Sequence, residues 1–123
     1  MHCWNIRLNM ERPKYKVILS KEVVKFLRSL NPKAVKKIAS VIDYVSGGDI
    51  NTEFFKKLGD TDIWEFRIQF MGIAYRLLAF WDTREQALII TTHGFIKETQ
   101  KTPKNEIDKA EGIRIQYFNT KSD

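Results

Sequence analysis

Arg67 and Arg76 lie in two adjoining apolar runs, and the spacing between them makes them a pair. From Ile63 to Phe70 the residues alternate strictly. Trp64, Phe66, Ile68 and Phe70 take one face and Glu65, Arg67 and Gln69 the other, the pattern of a half-buried strand. Met71-Gly72 supplies a turn and Ile73 to Trp81 a second, less regular strand. A hairpin loop of two or four residues places Arg67 directly opposite Arg76. Two like charges facing each other across a sheet cost stability, so the pair asks for an anion. A phosphate would serve, and so would a nearby carboxylate such as Glu65.

The same register argument extends to the next run, Ala87 to His93. If Asp82 to Glu85 form a four-residue loop, Arg76 faces Thr91 and Ala74 faces His93. Arg67, Arg76, Gln69, Thr91 and His93 then share one patch of one face. A one-residue slip in that turn would send His93 to the other side. His93 brings a group that exchanges protons near neutral pH. Lys97, Lys101 and Lys104 follow it in the chain and add to one positive field, and one of Lys56 and Lys57 points to the Arg67 face if their segment pairs with the hairpin.

Cleavage of RNA is within reach of such a set, because the substrate carries its own nucleophile, the 2′-hydroxyl. The reaction needs a base for that proton, cations for the crowded phosphorane and an acid for the leaving oxygen. No His/Cys cluster with metal-ligand spacing, glycine-rich phosphate loop or nucleophile elbow occurs, so the expected chemistry uses no metal and no cofactor.

The elements that must position these residues are readable in order. Residues 1–14 form an N-terminal extension, an edge strand or a leader, interrupted by Pro13. Tyr15 to Leu19 reads as a strand, and Ser20 caps a helix with Val23, Phe26, Leu27 and Leu30 on its apolar side. Asn31-Pro32 starts a second helix. Its stripe is Val35, Ile38, Ala39, Ile42 and Val45, and Gly47-Gly48 stops it. Phe54, Phe55 and Leu58 surround Lys56-Lys57 on the way back to the sheet. Thr102-Pro103 repeats the cap-plus-proline signal and opens a last helix through Ile107, Ala110, Arg114 and Tyr117. Helices laid on an antiparallel sheet make an α+β sandwich. The apolar half of the patch face, Leu78, Phe80, Ala87 and Ile89, needs the last helix or a partner to cover it.

A chain of 123 residues makes one domain. Its formal net charge of +6 suits a polyanionic partner. No apolar run approaches a membrane span, the N-terminus lacks a signal-peptide core, and Cys3 stands alone, so the expected compartment is a reducing cytoplasm.

Trp64-Glu65-Phe66-Arg67, Tyr75-Arg76-Leu77-Leu78, His93-Gly94-Phe95-Ile96-Lys97 and Thr99-Gln100-Lys101-Thr102-Pro103, followed by Glu106-Ile107 and Ala110, resemble the HigB-like branch of the RelE/ParE toxin superfamily, the phage-derived Gp49-like proteins. The resemblance spans about Tyr15 to Tyr117, and its most specific part is His93 to Pro103. It implies a RelE-like fold: an antiparallel sheet of about four strands, an N-terminal helical hairpin and a C-terminal helix, filling residues 15–118, with 119–123 as a disordered tail. It also implies a bacterial, cytoplasmic toxin of a type II toxin–antitoxin pair, an endoribonuclease that cuts messenger RNA on the translating ribosome. The implied partners are messenger RNA, the ribosome and an antitoxin of helix-turn-helix type, with operator DNA reached only through the antitoxin complex. By the same resemblance Arg67 and Arg76 act on the scissile phosphate, His93 transfers protons and Lys97 neutralises charge. Lys56, Lys57, Gln69, Thr91, Lys101 and Lys104 line the RNA path. Glu65 and Ile96 depart from the pattern, standing near places where other ribonucleases of the superfamily are basic. Two alternatives remain open from the sequence: a toxin of the same fold that binds DNA gyrase, and an inactive module that binds antitoxin and DNA.

Overall fold

The computed structural model describes residues 14–121, so the N-terminal extension lies outside the described residues apart from Lys14. The chain runs β1 (Lys16–Ile18), α1 (Lys21–Arg28), α2 (Pro32–Ser46), β2 (Phe55–Lys57), β3 (Trp64–Phe70), β4 (Ile73–Trp81), β5 (Leu88–Lys97) and α3 (Lys104–Lys121). The strands form one sheet in the order β1-β5-β4-β3-β2. It has five strands rather than about four, and it is not wholly antiparallel: β1 returns alongside β5 in parallel.

Local chemistry accounts for the helix starts. The Ser20 hydroxyl accepts the Val23 amide at 3.0 Å and donates to the Thr92 carbonyl at 2.9 Å, so one side chain both caps α1 and fastens it to β5. Asn31 Oδ1 accepts the Lys33 amide at 2.8 Å, with Pro32 in the first turn of α2. The buried stripe of α2 is Ala34, Ile38, Val41 and Val45; Val35, Ala39 and Ile42 lie at its margin rather than in it. The expected tail begins as helix, because α3 continues through Lys121, and residues 122 and 123 lie outside the described residues.

Two apolar layers sandwich the sheet. On one side α1 and α2 pack on Phe55, Phe66, Ile68, Tyr75, Leu77, Ala79 and Ile89. On the other, Ala110 of α3, with Ile107, Tyr117 and Phe118, covers Ile63, Leu78, Phe80, Leu88 and Ile90. The last helix is therefore the cover that the Leu78/Phe80 face required. Ile89, expected on that face, lies in the opposite layer, and Ala87 stands in the loop before β5.

The hairpin register falls as its turn chemistry dictates. Met71 and Gly72 have φ of 52° and 79°, the left-handed pair of a two-residue turn, and Arg67 sits opposite Arg76. The next register differs from expectation in two places. The connection runs from Asp82 to Ala87, with the Asp82 amide donating to the Leu88 carbonyl, and is longer than four residues. Further along, the ladder skips Thr92: Leu78 pairs with His93 and Ala79 with Thr91, a β-bulge. Each change moves β5 by an odd number of residues. Together they cancel in parity, so His93 stays on the Arg76 face while Thr91 goes to the other.

Candidate functional site

The arginine pair is built across the β3–β4 hairpin. The Arg67 amide donates outward to the Phe54 carbonyl at 2.8 Å, so Arg67 and Arg76 form a non-hydrogen-bonded pair, the arrangement in which facing side chains come closest. The anion between them is Glu65. Its Oε2 lies 3.5 Å from the Arg67 Nε and its Oε1 3.5 Å from the Arg76 Nε. The Thr102 hydroxyl donates to that same Oε1 at 2.6 Å. Thr102, expected to cap the last helix, thus spends its hydroxyl on β3.

Arg76 is 6% exposed, and burial lowers its pKa against the pull of Glu65. Its Nε is buried without a hydrogen bond, since 3.5 Å is an ion-pair contact and too long for one, while its Nη1 donates to the Tyr75 carbonyl at 3.1 Å. Arg67 reaches the Thr52 carbonyl through Nη1 at 3.2 Å and is a third exposed. The cluster therefore carries one buried carboxylate beneath two guanidiniums that differ in exposure.

The positions expected for Thr91 and His93 are filled by other residues. Phe95 faces Arg76 and Lys97 faces Ala74. Lys97 is half-buried, and its ammonium is pushed below the ordinary lysine value, first by burial and then by Arg76, with Arg67 adding to and Glu65 opposing the shift. Its Nζ donates to the Gln100 carbonyl at 2.7 Å. Lys97 is thus electrostatically coupled to both arginines and to their carboxylate.

His93 occupies the same face one pair further along, opposite Leu78, and is 3% exposed. Its Nε2 meets Glu106 Oε1 of α3 at 2.8 Å, and because a carboxylate only accepts, Nε2 is the donor. Its Nδ1 lies 3.0 Å from the Thr92 hydroxyl. Nε2 thus holds β5 to α3, while Nδ1 is engaged within β5.

Thr91, expected on the patch, is 1% exposed on the opposite face, where its hydroxyl donates to the Ile18 carbonyl and accepts the Ser20 amide. The longer connection before β5 is the cause, and the bulge at Thr92 returns only His93 to the Arg76 face. Gln69 stands exposed at the rim on the Arg67 side. Lys56, opposite Glu65, shares the patch face; Lys57, opposite Trp64, points away. Lys101 is exposed in the loop before α3, and exposed Lys104 pairs with Asp108 at 2.9 Å. Thr102 and Glu106 were hidden from sequence reasoning because Thr-Pro followed by Glu reads as a helix start. Phe95 was hidden by the register.

Among the described residues, no group of three or more His, Cys, Asp and Glu side chains is arranged to hold a metal ion, and no helix is long and apolar enough to cross a membrane.

Comparison with known proteins adds a family and a fold. A family model described as phage-derived protein Gp49-like matches residues 25–114. A search of curated protein sequences gives no significant match. Among solved structures, RelE of Pyrococcus horikoshii, from an archaeal RelE–RelB complex, is similar at 23% identity and a TM-score of 0.52, over 72% of this chain and 99% of that one. The free E. coli toxin RelE, a double mutant, is similar at 14% identity and a TM-score of 0.54, over 83% and 98%. These likenesses show the RelE fold.

Proposed function

The chain belongs to the phage-derived Gp49-like family, and from that premise we propose that it is the toxin of a type II toxin–antitoxin pair, an endoribonuclease that cuts messenger RNA on the translating ribosome in the bacterial cytoplasm and is held inactive by a cognate antitoxin. The observation that carries the reading is the Arg67–Arg76 pair with Lys97 electrostatically coupled to it on the same sheet face. The likeness in fold to RelE proteins, one of them solved with RelB, supports a toxin role and an antitoxin partner.

In this reading the two guanidiniums hold the scissile phosphate and take up charge as the phosphorane forms. Lys97, with its lowered pKa, accepts the 2′-hydroxyl proton as the 2′-oxygen attacks phosphorus. The P–O5′ bond breaks, the 5′-oxygen takes a proton from water at the open rim, and a 2′,3′-cyclic phosphate and a 5′-hydroxyl remain. His93, enclosed between β5 and α3, supports the site by fixing α3. Lys56 and Lys101 are exposed where the RNA backbone would run, and Gln69 borders the phosphate.

The test is induction of the protein in bacteria lacking the antitoxin, with messenger-RNA 5′ ends mapped beside an Arg76→Lys control. New ends within coding sequences that disappear in the control are expected. Growth arrest with intact messages would sink the nuclease reading.

A further inference from the structure

The structure carries a cavity of about 410 Å³ beside the arginine pair. It exists because β2 is short. The strand pairs with β3 only from Trp64 to Phe66, so beyond the Phe54 contact the outer edge of β3 has no strand neighbour among the described residues. The Arg67 amide points outward on that side, and strand alternation makes the Gln69 N–H and C=O do the same. The edge thus offers a backbone donor and acceptor beside the Gln69 amide.

The remaining walls differ in chemistry. Val41 of α2 and Ile68 make an apolar floor, and Phe54, held edge-on by Tyr44 at a centroid distance of 5.2 Å, makes a fixed aromatic wall. Glu53 brings a carboxylate, Lys37 an ammonium, and both arginines line the cavity as well. Apolar Val41, Phe54 and Ile68 beside polar Gln69 and charged Lys37, Glu53 and the arginines suit a small planar ligand with a polar edge, and the volume lies at the small end for ligand pockets. Stacking on an aromatic side chain with hydrogen bonds to the base edge is how proteins read unpaired bases.

We infer that this cavity is a subsite for one unstacked nucleobase, guanine above the others, adjoining the phosphate held by Arg67 and Arg76. Guanine presents two neighbouring donors on its Watson–Crick edge, which one carboxylate can accept together. Uracil presents a single donor between two acceptors. The inference rests on reading the arginine pair as a phosphate site.

The test is an NMR titration of the full chain with 5′-GMP, 5′-UMP and inorganic phosphate. Inorganic phosphate should shift the arginine side-chain signals alone. GMP should also shift the Val41 and Ile68 methyls and the Gln69 side-chain amide, and bind about tenfold more tightly than phosphate, the scale of one bidentate base contact. Glu53→Gln, at an exposed position, should remove most of that gain and leave phosphate binding unchanged. GMP shifts confined to the arginines, or GMP no tighter than phosphate, would overturn the subsite; UMP as tight as GMP would overturn its preference. Base binding here with uncut messages would bring down the nuclease reading alone, and cleavage without base binding the subsite alone.

Discussion

Thr102 donates its hydroxyl at 2.6 Å to the Glu65 oxygen that also lies nearest Arg76. The loop before α3 is therefore tied to the carboxylate that holds the arginine pair. Because Glu65 and Arg76 are both nearly fully buried, Glu65→Ala leaves a buried guanidinium without its anion, at a cost of about 3 kcal/mol. Thr102→Val removes one hydrogen bond to a charged group, about 1.5 kcal/mol. Because the two side chains share that bond, the double variant should be less destabilised than the sum by more than about 0.5 kcal/mol. Urea unfolding of the two single variants and the double variant measures this; strict additivity would refute the coupling.

The His93–Glu106 contact makes a second tie, from β5 to α3. His93→Ala removes a buried ring together with both of its hydrogen bonds, and about 3 kcal/mol of stability should be lost. Glu106→Ala, at a partly exposed position, should cost about 1 kcal/mol and act locally. Hydrogen exchange should then quicken in the first turns of α3 while the β3–β4 ladder keeps its protection. Uniform acceleration would mean that α3 and the sheet open as one unit.

Gly94 lies where α1 meets the sheet. A Cβ there would come within 2.5 Å of Phe26 Cδ2 and 2.6 Å of Leu77 Cδ2, so Gly94→Ala overpacks the layer and should cost about 2 kcal/mol. Gly94→Ala with Phe26→Leu should recover part of that loss. No recovery in thermal unfolding would show that Leu77, not Phe26, sets the crowding.

How far the sequence could be read follows from the same contacts. The strict alternation of Trp64 to Phe70 and the Met71-Gly72 turn determine which side chains face which, so the Arg67–Arg76 pair was legible. From Leu88 to Thr92 the residues are apolar or small on both faces, because α1 covers one side and α3 the other, and no alternation marks the register. The Thr92 bulge has no local signature. Its partners, the Leu78 carbonyl and Ser20, come from distant segments. The parallel pairing of β1 was equally hidden, since a short strand of mixed polarity gives no sign of its neighbour.

Lys97 offers the sharpest test of the proposed chemistry. If its neutral amine takes the 2′-hydroxyl proton, the cleavage rate rises with pH until the amine is free, and levels off below the ordinary lysine pKa, because burial and Arg76 disfavour the ammonium. Glu65 favours the ammonium, so Glu65→Gln should move the midpoint further toward acid. Lys97→Arg keeps the positive charge and removes a group that titrates in this range, so the rising limb should vanish and the rate fall by about 10²-fold or more. Single-turnover cleavage of a short RNA across the pH range, in the wild type and both variants, makes the comparison. A Lys97→Arg profile that keeps its limb would assign the proton transfer to another group, and a Glu65→Gln midpoint moving toward alkali would show that the carboxylate acts on the site by some route other than its charge.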